Sequence, residues 1–215
     1  MGIKSGTPRR IGLIGCAAFA VMAVPVLAWT TDTGNGGYIS GDDFYTDSQA
    51  SSRAEKRGDD RSDTTKTYVM GGRLKIGYGG KTSVIQILNK IRYTDRQGGY
   101  GSQPVAQLAV KPENGKYRFF IVQGAQNCSS SLSFSSGTTV SVRVTFKEGS
   151  SPLYEVNGTK CQKSTGRYPG QPEPTHNGRP IVYNGAFYGK LGAYNTAGST
   201  TSAKMTWTRI YDREQ

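Results

Sequence analysis

Hydrophobic and polar residues alternate with a period of two along several stretches beyond residue 67. Leu74 and Ile76 alternate with Arg73 and Lys75, and Ile85, Ile87 and Ile91 with Gln86, Leu88, Lys90 and Arg92. Val140, Val142, Val144 and Phe146 alternate with Ser141, Arg143, Thr145 and Lys147, and Met205 and Trp207 with Lys204, Thr206 and Thr208. Successive side chains of a strand point to opposite faces, so each stretch predicts a strand with one apolar and one polar face. Gly- and Asn-rich turns separate the stretches, and neither a sustained helical period nor an internal repeat follows residue 28. The pattern predicts an antiparallel all-β sandwich or barrel. Residues 29–66 are polar and read as loops around short strands. Residues 162–180, with Pro169, Pro172, Pro174 and Pro180, read as a long loop that lies over one edge or covers a site.

One run breaks the pattern. Lys4, Arg9 and Arg10 precede an apolar stretch from Ile11 to Ala28 that ends in Val26-Leu27-Ala28. A basic head, an apolar run and a small-residue cleavage site make an export signal removed after residue 28, the alternative being a retained anchor helix. The mature chain is then a single domain, residues 29–215, secreted or periplasmic, with no membrane attachment and expected as a monomer. Cys16 leaves with the signal. Cys128 and Cys161 remain, an even number in an oxidising compartment, and are expected to form a disulfide. That bridge closes a long loop, worth about 3–4 kcal/mol in the chain-entropy account. The single histidine, His176, lies in the Pro-rich segment, so no Cys/His cluster suggests a metal, and no cofactor is expected.

Charge narrows the partner. The formal net charge of the 215-residue chain is +12, and removing residues 1–28 takes away bases but no acids. The polar faces carry Arg73, Lys75, Lys90, Arg92 and Lys190 with few acids among them. Arginine and lysine among tyrosines suit an extended polyanion, the rings adding flat contact area. Charge alone also fits nucleic acid, but export and a disulfide argue against it, and exported nucleases usually need a histidine base or a carboxylate-bound metal. An anionic polysaccharide is the expected partner, with no nucleic acid.

Three segments sharpen the expectation. Arg53-Ala54-Glu55-Lys56-Arg57 places Arg53, Glu55 and Arg57 on one face of a strand, where the glutamate can hold both guanidinium groups. Gln86-Ile87-Leu88 is the second segment. Tyr188-Gly189-Lys190-Leu191-Gly192-Ala193-Tyr194-Asn195 is the third, with Tyr188, Lys190 and Tyr194 on one face and two glycines that would let a sugar chain approach the backbone. In this order they resemble the motifs of the alginate lyases of polysaccharide lyase family 7 and of the glucuronan lyases: Arg-x-Glu-x-Arg, Gln-Ile-His and Tyr-Phe-Lys-Ala-Gly-x-Tyr-Asn. The resemblance implies an antiparallel jelly-roll β-sandwich of the concanavalin A-like kind and cleavage by β-elimination. It also implies catalytic roles for Tyr194, Arg53 and Gln86, substrate contacts from Lys190, Arg57, Tyr188 and Asn195, and a structural role for Glu55. Lys90, Arg73 and Lys75 are expected to attract the polymer. The chain departs from the family at Leu88, where the motif has histidine.

That departure has a chemical consequence. β-Elimination at a uronate removes the C5 proton and expels the 4-linked oxygen, so the carboxylate must be neutralised and the developing enolate stabilised. Arg53 (or Arg57) and Gln86 would donate hydrogen bonds to it. Free tyrosine titrates near about 10, so a tyrosine base needs cationic neighbours, here Lys190 and an arginine. In mannuronate and glucuronate the C5 proton and O4 share a side of the ring, and one tyrosine can take the proton and return it to O4. In guluronate they lie on opposite sides and a second group is required. Leu88 therefore points to mannuronate- or glucuronate-type linkages. The alternatives are a non-catalytic carbohydrate-binding sandwich and an exported nucleic-acid binder or nuclease.

Overall fold

A computed structural model describes residues 29–63, 65–122, 126–147, 150–161, 175–196 and 198–215. The export signal and most of the Pro-rich loop lie outside these residues. The first part of the described chain forms β1 (Thr30–Gly34), β2 (Tyr38–Ser40), β3 (Asp43–Thr46), β4 (Arg53–Arg57), β5 (Tyr68–Tyr78) and β6 (Thr82–Tyr93). There follow β7 (Tyr100–Glu113), β8 (Lys116–Ile121), β9 (Gln126–Asn127), β10 (Ser133–Phe134) and β11 (Thr139–Phe146). The last are β12 (Leu153–Val156), β13 (Thr159–Lys160), β14 (Thr175–His176), β15 (Arg179–Asn195) and β16 (Ala203–Glu214).

These strands build two antiparallel sheets stacked as a jelly-roll sandwich. One has the order β1-β4-β15-β6-β7-β8-β10, with β14 on β15 and β9 on β8; the other runs β13-β12-β11-β5-β16-β3-β2. The period-two pattern explains the stacking. Val140, Val142, Val144 and Phe146 of β11, Leu74 and Ile76 of β5, and Met205 and Trp207 of β16 turn inward. They meet Ile85, Ile87, Leu108, Val110 and Leu191 from the facing sheet. Each such side chain contributes about 1.5–3 kcal/mol when fully buried, so a one-residue slip in register would be strongly opposed. Cys128 and Cys161 form the expected disulfide, with Cα atoms 4.9 Å apart.

The core also positions β15. Trp207 of the second sheet donates its indole N–H to the Gly192 carbonyl across the sandwich (3.1 Å). Gly192 itself has φ of +152°, and a Cβ there would fall 2.2 Å from the Ala54 carbonyl oxygen. A Cβ on Gly189 would fall 2.2 Å from Met70 Cε. Both glycines thus allow close packing within the sandwich, and do not serve the approach of a sugar as expected from the sequence.

Candidate active site

The outer face of the first sheet carries the charged residues in registered rows. In one row Arg57 of β4, Lys190 of β15, Gln86 of β6 and Gln107 of β7 are direct neighbours. In the next, Tyr188, Leu88 and Pro104 lie side by side. Toward the other end of β15, Tyr194 sits directly across from Arg53, close enough for directly opposed side chains to interact. Residues far apart in sequence are brought to one surface because β4, β15 and β6 are adjacent strands.

Two adjoining hollows open on this face and share Ser102. The first, about 420 Å³, is lined by Arg53, Glu55, Gln86, Leu88, Lys190, Tyr194 and His176, with Pro104, Gln107, Val122 and Thr196 completing its wall. The second, about 400 Å³, is lined by Asp32, Arg57, Lys90, Tyr100, Gly101 and Tyr188. In it the Arg57 guanidinium stacks over the Tyr188 ring at 4.1 Å, and Tyr100 is 74% exposed.

A hydrogen-bonded network underlies the first hollow. Glu55, 2% exposed, accepts a hydrogen bond from Gln86 Nε2 (2.5 Å), and its other oxygen lies 3.5 Å from Lys190 Nζ. Lys190 also donates to Asp32, which in turn accepts from Arg53 Nε at 2.9 Å. Burial pushes the Glu55 carboxyl up to about 7, against the pull of Lys190 and Gln86. Burial likewise works against the Lys190 ammonium, but Glu55 and Asp32 more than offset it, leaving its pKa raised. The hydrogen bond from Arg53 to Asp32 raises the arginine's pKa, with Glu55 and the Tyr194 phenol adding to the effect. Gly34 leaves room for this arrangement: a Cβ there would fall 3.1 Å from the Arg53 guanidinium carbon.

The network revises several expectations. Glu55 does not clasp Arg53 and Arg57; it holds Gln86 and Lys190, while Arg53 pairs with Asp32 and Arg57 with Asp60. Lys90 shares Asp60 with Arg57. Asn195, expected to touch substrate, is 0% exposed and fully engaged. Its amide donates to the Asp47 and Gln49 carbonyls (2.8 and 3.1 Å) and accepts from Thr46 Oγ1 (2.9 Å), pinning the end of β15. Arg73 and Lys75 are exposed on β5, in the second sheet, and line neither hollow.

Two further residues belong to the site without being expected there. Asp32 lies in a polar segment with no periodic signal, and only its pairing opposite Glu55 reveals it. His176 falls in the segment that reads as a Pro-rich loop, yet it lines the first hollow. A local signal for it exists: Asn177 and Gly178 both have positive φ, +51° and +74°, making the tight turn that an Asn-Gly pair favours in hairpins. That turn fixes β14 against the start of β15.

The same sandwich occurs in solved alginate lyases. The enzyme from Pseudomonas aeruginosa is similar over 85% of this chain and 87% of its own, with a TM-score of 0.52 and 13% identity. The enzyme from Corynebacterium sp. is similar over 80% of this chain and 76% of its own, with a TM-score of 0.53 and 12% identity. No family model matches the chain, and no curated protein does. At such identities the likeness speaks for a shared fold.

Proposed function

We propose that this chain is an exported polysaccharide lyase that cleaves 1,4-linked polyuronates of mannuronate or glucuronate type by β-elimination. The observation that carries the reading is the convergence of Arg53, Gln86, Lys190 and Tyr194 on one hollow, contributed by three motifs that lie far apart in the sequence. The similar sandwiches of alginate lyases support it. The disulfide is consistent with export.

In this reading Arg53 and Gln86 donate hydrogen bonds to the uronate carboxylate, which strengthen as negative charge develops in the enolate. The Tyr194 phenolate takes the C5 proton. The C4–O4 bond then breaks, its electron pair leaves with O4, and the same phenol returns the proton to O4. The products are an unsaturated sugar with a C4=C5 double bond and a chain with a new 4-hydroxyl end. Arg57, Lys90 and Tyr188 in the second hollow hold a neighbouring sugar of the polymer, and Lys190 supplies positive potential beside Tyr194.

Incubating the purified protein with polymannuronate, glucuronan and polyguluronate, while following the ultraviolet absorbance of the unsaturated product, tests this directly. Turnover of polymannuronate or glucuronan is expected. Turnover of polyguluronate alone overturns the substrate assignment. A folded protein inactive on all three overturns the lyase reading and favours a carbohydrate-binding sandwich.

A further inference from the structure

We infer that His176 is a second proton carrier of the first hollow, one that opens the site to uronates whose C5 proton and O4 lie on opposite sides of the ring. The inference rests on the lyase reading above and goes beyond it, because Tyr194 alone can serve only one side.

An opposite-side elimination needs one group to take the C5 proton and another to give a proton to O4. Among the described residues that line the first hollow the choice is small. Leu88, Pro104 and Val122 carry no exchangeable proton, the side chains of Gln86, Ser102, Gln107 and Thr196 do not titrate near neutrality, and Arg53 and Lys190 have raised pKa values and are both held by Asp32. Burial pushes the Glu55 carboxyl up to about 7, but it is almost fully buried and already bound to Gln86. Histidine is the side chain whose ordinary titration falls in the physiological range, and His176 lines this hollow together with Tyr194.

The imidazole stands on an anchored support. Arg179, its partner across the β14–β15 turn, donates to both oxygens of Asp95 (2.5 and 2.7 Å) and to the Gly98 carbonyl (2.9 Å). The same guanidinium lies 3.9 Å from the centroid of the Tyr93 ring, and that ring packs against His176 with centroids 6.3 Å apart. Such a bidentate, stacked arginine holds the hairpin, so the histidine is presented from a fixed element. The chemistry balances without a co-reactant: one of the pair, Tyr194 or His176, removes the C5 proton, the C4–O4 bond breaks, and the other protonates O4. Solvent then returns each to its starting protonation state.

The test compares wild type with His176→Gln on polymannuronate and on polyguluronate. The expected result is wild-type turnover of both polymers, with the variant's loss on polyguluronate larger than its loss on polymannuronate by about 10²-fold or more. Retained polymannuronate activity also shows that the variant is folded. Equal losses on both polymers, or no loss on polyguluronate, overturn the role of His176. Wild-type turnover of polymannuronate without polyguluronate overturns this inference alone, and inactivity on every polymer overturns the lyase reading with it.

Discussion

Glu55 sits on the floor of the first hollow with its carboxyl pushed up to about 7 from an ordinary 4.5, chiefly by burial. The sign of its effect on stability follows from proton counting. Between about pH 4.5 and 7 the folded chain keeps this proton while the unfolded chain has lost it, so stability falls as pH rises through that window. The contribution is fully present below the unfolded value and gone above the folded one. Moving from 4.5 to about 7, at about 1.36 kcal/mol for each tenfold change in proton concentration, amounts to roughly 3 kcal/mol. Glu55→Gln removes the titration but keeps an oxygen for the hydrogen bond from Gln86 Nε2. Urea unfolding of both proteins at pH 4.5 and pH 8 measures the effect. From the lower to the higher pH, wild type should lose roughly 3 kcal/mol relative to the variant. Other groups, Asp32 included, are common to both and cancel to first order. Parallel stability curves for the two proteins would refute the burial of a protonated carboxyl beneath the site.

Other consequences are equally accessible. Asn195→Ala removes three hydrogen bonds that fix the end of β15, and should cost about 1–3 kcal/mol in chemical denaturation through the buried groups left unpaired. Replacing both Cys128 and Cys161 by serine opens a bridge across 33 positions, with an expected loss of about 2–5 kcal/mol that reduction of the wild type should reproduce. Arg73→Ala and Lys75→Ala should leave KM for the polymer within about two-fold, the ordinary reach of a remote surface charge. Arg57→Ala and Lys90→Ala, in the second hollow, should raise KM and weaken its dependence on salt.

The alternation that reveals the strands also explains what it cannot reveal. Val140 to Phe146 and Leu74 to Ile76 show their inward faces plainly, because each strand has water on its other side. The same alternation gives Arg73 and Lys75 an outer face without saying which sheet's. The register of Lys75 beside Thr139 and Thr206 and of Arg73 beside Ser141 and Thr208, against that of Lys190 beside Gln86, is a matter of long-range pairing. Glu55 is legible as the centre of a charged strand, but its partners come from β15 and β6 and follow only from strand order. In β6 both faces are buried from Thr82 to Asn89, since the outer one lines the hollows, so Gln86 looks exposed in sequence and is 4% exposed in fact. His176 shows the opposite case: its Asn-Gly turn is local and readable, and the surrounding prolines mask it.

The central claim is that one phenol both takes and returns the proton. Tyr194→Phe deletes that oxygen and leaves the ring, and the measurement is its turnover of polymannuronate alongside its affinity for a mannuronate oligosaccharide. Affinity within a few-fold of wild type together with a loss of about 10²–10⁴-fold in kcat is the result predicted for a proton-transfer group. A variant that turns the polymer over at a rate near that of wild type would contradict the account.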